Sequence, residues 1–118
     1  MEGPLKESPI FTKTYDMVNW VSNHVSRFPK SERFRLAKRI EDHVFDFHAA
    51  LIHAVRNPES RIETLEQADE ILYRIKVYFR LAKDRRFTSQ KQYQFIVGQL
   101  VEIGKLLGGW INKTRLSS

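Results

Sequence analysis

Apolar residues recur along this chain at spacings of three and four, the period at which one face of an α-helix meets a core. Ser8 followed by Pro9 is the pattern of a helix start, and a first helix is expected over about residues 9–28 with Phe11, Tyr15, Val18 and Val25 on one stripe. A second, over about 30–57, carries Ala37, Ile40, Val44, Phe47, Leu51 and Ala54, the most regular stripe in the sequence. Asn57-Pro58 stops it, and Ser60 with Glu63 has the spacing of a capping box for a third helix over about 60–85. Its stripe is Leu65, Ala68, Leu72, Ile75, Phe79 and Ala82. Thr88 then stands as N-cap of a fourth helix over about 88–113, with Tyr93, Val97, Leu100, Gly104, Leu107 and Ile111 inward. Long helices joined by connections of a few residues run antiparallel to their neighbours in sequence. The expected fold is therefore all-α: one domain over residues 1–118, an up-down-up-down antiparallel four-helix bundle.

Composition narrows the function classes. The 118 residues include only 5 Gly and 4 Pro, too few for a turn-rich β fold, and 42% are hydrophobic. No apolar run has the length of a membrane span or a signal peptide, so a cytoplasmic protein with no membrane partner is expected. The absence of cysteine excludes disulfides, thiolate catalysis and cysteine-ligated metal. His43, His48 and His53 are five apart, which turns successive members by about 140° around a helix, so they cannot share a face. Asp42 and Asp46 do share one, but no helix carries a Glu-x-x-His motif, and no Ser-His-Asp order, P-loop or dinucleotide fingerprint is present. Neither an enzyme, nor a metal site, nor a cofactor is expected.

Charge changes the picture most. The net charge is +6, and in the expected bundle one end receives Arg27, Lys30, Arg33, Arg35, Lys38, Arg39, Arg74, Lys76, Arg80, Lys83, Arg85, Arg86 and Lys91, opposed only by Glu32 and Asp84. Glu41, Asp42, Asp46, Glu59, Glu63, Glu66, Asp69 and Glu70 are assigned to the other end. Helix-dipole complementarity explains the acidic start and basic end of the third helix, yet it predicts acids at the start of the second, where bases stand. A surface for nucleic acid or another acidic partner accounts for both. Phe34, Tyr73, Tyr78 and Phe87 lie near it and could stack on bases, although Phe34 and Phe87, beside connections, read more simply as caps on the core. Off the main stripes, Phe45 and Ile52 on the second helix and Tyr73, Val77 and Leu81 on the third make a second apolar face, read as a subunit interface.

The stretch "GKLLGGWINK", residues 104–113, places Gly104 and Gly108 one turn apart inside a helix, where each Gly costs about 0.5 to 1 kcal/mol relative to Ala. A seam of small residues against a closely approaching helix would compensate, which makes Gly104, Gly108 and Trp110 structural. "LLGGWINK" resembles the Leu-Gly-small-Trp-Ile ending of the accessory variability determinant (Avd) proteins of diversity-generating retroelements. "RFPKSERFRLAKRI" is similar to the Phe-Pro-Lys junction between the first two helices of that family and of its relatives, the proteins encoded by intervening sequences of 23S ribosomal RNA genes. The resemblance implies a small basic bundle that assembles as a homopentamer around a central channel. It implies a non-catalytic accessory role alongside a reverse transcriptase and its RNA or cDNA, in support of adenine-mutagenised retrotransposition. Two other readings stand beside it: an intervening-sequence-type module binding RNA or protein without a reverse transcriptase, and a structural oligomer whose charge serves solubility.

Overall fold

The computed structural model describes residues 8–117, which form four α-helices and two short 3-10 turns with no strand among the described residues. Helix α1 spans Pro9–Val25. Proline suits its first position, and the Ser8 carbonyl accepts from the N–H groups of Phe11 and Thr12, both at 3.1 Å, while the Ser8 hydroxyl makes no cap bond. The buried stripe of α1 is Ile10, Phe11, Thr14, Met17, Val21, His24 and Val25, so Tyr15, expected inward, is 62% exposed. Two polar residues in inward positions, Thr14 and His24, disguised the phase. Beyond Val25 the chain tightens into single turns up to Pro29, which places the helix end before residue 28.

The second helix does not begin at residue 30. Lys30–Glu32 form a 3-10 turn, and Arg35 leaves the helical region at φ −118°, ψ −111°, so α2 runs Leu36–Arg56. Its expected stripe is buried throughout. Asn57, restricted by the following proline, ends it. The Arg61 guanidinium then donates to the carbonyls of Ala54 at 2.7 Å and Val55 at 3.0 Å, which satisfies acceptors that the end of α2 leaves open. Helix α3 spans Arg61–Asp84. Ser60 occupies its N-cap position without a side-chain bond, so the capping box expected of Ser60 and Glu63 does not form. A 3-10 turn over Pro58–Ser60 brings the chain in instead.

The connection into α4, Gln90–Ser117, is a Schellman turn. Phe87 N–H donates to the Ala82 carbonyl at 2.9 Å and Arg86 N–H to that of Lys83 at 2.9 Å. This geometry needs a left-handed residue, and Arg86 supplies it at φ 64° where glycine is usual. A reciprocal cap does form, one residue later than expected: Ser89 Oγ accepts from Gln92 N–H at 3.1 Å and Gln92 Oε1 from Ser89 N–H at 2.9 Å. Thr88 is thereby released from capping and turns into the core, 1% exposed.

Contacts between the helices fix their directions. The end of α1 meets the start of α4 through His24 and Thr88, and the start of α1 meets the end of α4 through Phe11 and Trp110, ring centroids 6.2 Å apart. Gly104 faces Leu72 while Lys83 lies over the Tyr93 ring, so α3 and α4 are also antiparallel. Each helix packs on its sequence neighbours and α1 closes on α4, around a core that includes Ile40, Phe47, Leu51, Leu65, Ile75, Phe79, Ile96, Leu100 and Leu107, all fully buried. The assembly of four antiparallel helices is thus present, elongated at 46 × 24 × 22 Å.

Candidate nucleic-acid interface

The end of α1, the start of α2, the end of α3 and the start of α4 come together at one pole, held by an aromatic and polar plug. Phe28 and Phe87 pack at 5.5 Å, and His24 stacks on Trp20 at 4.6 Å while its Nε2 lies 2.8 Å from the Thr88 hydroxyl. Burial, and then the neighbouring Arg27 charge, hold the His24 imidazole below its usual pKa, which favours the uncharged ring beneath the charged surface. The pair leaves no signal in the sequence, where Thr88 reads as an N-cap and His24 as an ordinary polar residue until the fold brings positions 64 apart together.

Around the plug, Arg27, Lys30, Arg33, Arg35, Lys38, Arg39, Arg80, Arg85, Arg86 and Lys91 are exposed. Lys38 is drawn to Asp42 at 2.7 Å, and half-buried Lys83 is shared between Asp84 at 3.8 Å and the Tyr93 ring at 4.8 Å. The exposed Lys38–Asp42 pair is worth about 0 to 1 kcal/mol. Among the described residues, Arg33, Arg39, Arg80, Arg85, Arg86 and Lys91 make no ion pair. Two expected members lie elsewhere. Arg74 sits ten residues before the end of α3, about 15 Å along the axis, and pairs with Glu70 at 3.5 Å. Lys76 lines a groove between α3 and α4 with Tyr73 and Val101.

The bases at the start of α2 and Arg85 at the end of α3 do share a surface, a groove of about 670 Å³ lined by Arg35, Lys38, Arg39, Arg85, Phe34, His43 and Tyr78. It is not purely basic. Asp42 and Asp46, assigned from sequence to the opposite end, line it too, and Glu32 is buried in its wall. Phe34 is no core cap: it is 79% exposed at this groove, whereas Phe87 does cap the core against Phe28. Tyr78 lies edge-on to His43 at 5.4 Å, leaving Phe34 as the uncovered ring.

The second apolar face divides. Tyr73, Val77 and Phe45 are 63%, 46% and 48% exposed, but Ile52 and Leu81 are half-buried against the core and belong to its margin. Tyr73 lines the α3–α4 groove with Val101, while Phe45 lies on α2 and is not part of that groove. The glycine seam is also narrower than expected. A Cβ on Gly104 would meet Leu72 Cδ2 at 3.5 Å, an ordinary contact, and Gly108 faces open space. Trp110 is half-buried, packing over Phe11. His43, His48 and His53 point apart, His48 being lowered in pKa by burial and His53 lying 3.2 Å from Asn57. No group of metal-holding side chains occurs among the described residues.

The described residues form a bundle of four helices with a cationic pole and no recognisable catalytic constellation. The chain belongs to the bAvd-like family, whose model matches residues 9–114, a span that takes in α1 to α3, most of α4 and both quoted stretches. No curated protein matches it. It is an Avd-type accessory protein of a non-catalytic family. No helix among the described residues is long and apolar enough to cross a membrane.

Proposed function

We propose that the protein is a cytoplasmic, homo-oligomeric scaffold of a diversity-generating retroelement that docks its reverse transcriptase and holds RNA or cDNA at the cationic pole. Family membership supports the setting. The carrying observation is the set of exposed, unpaired cations, Arg33, Arg39, Arg85, Arg86 and Lys91, gathered by all the connections at one end of the bundle. Lys and Arg side chains there displace the counterions condensed on a phosphate backbone and bind it with little regard to sequence. A homopentamer, as in the resemblance drawn from the sequence, multiplies the pole into a ring, with Tyr73, Val77, Val101 and Phe45 as exposed apolar candidates for the contacts between copies. The protein positions template and polymerase and supplies no chemistry.

Co-expression with the reverse transcriptase of the same retroelement tests the docking. The two are expected to co-purify after nuclease treatment, and light scattering of the protein alone is expected to give about five times the 14.0 kDa chain mass. A 14.0 kDa particle that retains no polymerase refutes the scaffold reading.

A further inference from the structure

We propose that the groove between the start of α2 and the end of α3 seats one guanine of a single-stranded nucleic acid, with the Glu32 carboxylate accepting from its Watson–Crick edge. This deepens the nucleic-acid reading and rests on it. Glu32 carries the argument. Its side chain is 7% exposed, Oε1 has no hydrogen-bond partner, and Oε2 has only Arg35 at 3.8 Å, outside hydrogen-bond reach. A carboxylate accepts and cannot donate, and buried polar groups are nearly always paired. An unpaired one in the wall of a groove points to a donor that arrives with a ligand. The turn holds it in place: Glu32 N–H donates to the Pro29 carbonyl at 2.8 Å, and Arg35 N–H to that of Glu32 at 3.0 Å.

The rest of the groove says what that donor belongs to. Arg35, Arg39 and Arg85 bring positive charge suited to a phosphate, and Phe34, 79% exposed, offers a ring face for stacking. The groove volume of about 670 Å³ lies within the range of small-ligand sites. Glu32, Asp42 and Asp46 would repel a phosphate track running straight through, so the acidic wall must face the base rather than the backbone. Guanine alone places two neighbouring donors, N1–H and the N2 amine, on its Watson–Crick edge, matching the two oxygens of one carboxylate. Adenine and cytosine set an acceptor beside their amine, and uracil flanks its N3–H with two carbonyls. A single-base preference is thereby superimposed on sequence-indifferent phosphate binding.

Fluorescence anisotropy at low salt tests this with labelled short oligouridylates carrying one central G, A, C or U. The G oligomer is expected to bind about fivefold to a hundredfold tighter than the others, the span of one good bidentate base contact. Glu32→Gln, which replaces one acceptor by a donor and removes a negative charge from the groove, is expected to abolish the preference for G while binding the all-U oligomer at least as tightly as wild type; a preference for G that survives in this variant overturns the seat. Should that variant fail to fold, Phe34→Ala, at a surface position, carries the test and is expected to reduce the preference. Equal affinity for all four oligomers overturns the guanine seat and leaves phosphate-driven binding standing. No binding to any oligomer overturns both. Glu32-dependent capture of an arginine-rich peptide, without guanine preference, overturns the seat in favour of a protein partner.

Discussion

The His24–Thr88 contact joins α1 to the start of α4 beneath the cationic pole, and Thr88→Val tests its worth. Valine keeps the β-branched shape and removes one hydroxyl, leaving the His24 Nε2 that lay 2.8 Å away without a partner in a site where the two residues are 6% and 1% exposed. The cost of stranding a buried polar group is about 1 to 3 kcal/mol. For a chain of this length that corresponds to a fall in Tm of roughly 3 to 10 °C. His24→Phe strands the Thr88 hydroxyl and is also destabilising, but the double variant removes both polar groups and places a ring against Trp20 and Phe79. It is expected to recover most of the loss, with a coupling energy of about 1 kcal/mol or more in a double-mutant cycle. Urea and thermal unfolding followed by circular dichroism measure all four corners. Additive effects, or a Thr88→Val variant as stable as wild type, refute the view that this pair ties the pole together.

Three further outcomes follow from the same geometry. Arg86 holds a left-handed conformation at φ 64°, so Arg86→Gly is expected to raise stability by about 1 kcal/mol while weakening nucleic-acid binding; a destabilised variant contradicts the strain. Gly104→Ala and Gly108→Ala are expected to stabilise the monomer by about 0.5 to 1 kcal/mol each in thermal melts, whereas Gly104→Leu overpacks Leu72 and costs about 1 to 3 kcal/mol; loss of assembly in a well-folded Gly108→Ala would place that glycine between copies. His24 and His48 both have folded pKa values below 6.5, so the unfolded chain binds more protons as pH falls through that value. Their contribution is complete above pH 6.5 and is lost on acidification, so His24→Phe is expected to flatten the decline of Tm between about pH 7 and 5, and an unchanged decline contradicts it.

The stripes of α2 and α3 were legible because nearly every inward position there is apolar, from Ala37 to Ala54 and from Leu65 to Ala82. On α1 the pattern misled, since Thr14 and His24 face inward and Tyr15 faces water. Polarity marks position only where burial excludes polar groups, and it fails here because His24 is buried against the Thr88 hydroxyl and the Thr14 hydroxyl is buried with no partner among the described residues. Capping was misread for a related reason: Ser60 and Thr88 have suitable side chains, but backbone turns around Pro58 and Arg86 decide which residue enters the helix. The cationic pole was visible from helix direction and charge alone. Its acidic wall was not, because the burial of Glu32 depends on a 3-10 turn where a helix was expected, and Asp42 and Asp46 reach the groove only through the pairing of α2 with α3.

The most direct test of the cationic pole is a filter-binding titration of a nucleic acid at several salt concentrations, comparing wild type with the Arg35→Gln, Lys38→Gln, Arg39→Gln triple variant and with Lys105→Gln, Lys113→Gln as the control remote from the pole. Binding by phosphate neutralisation weakens by roughly 0.9 log units per log unit of salt for each duplex phosphate contacted, or about 0.7 for a single strand. Wild type is expected to show a steep slope, the control to keep it, and the triple variant to bind unrelated sequences more weakly with a flatter slope. A slope unchanged in the triple variant, or no binding by wild type at low salt, would contradict a nucleic-acid surface at that pole.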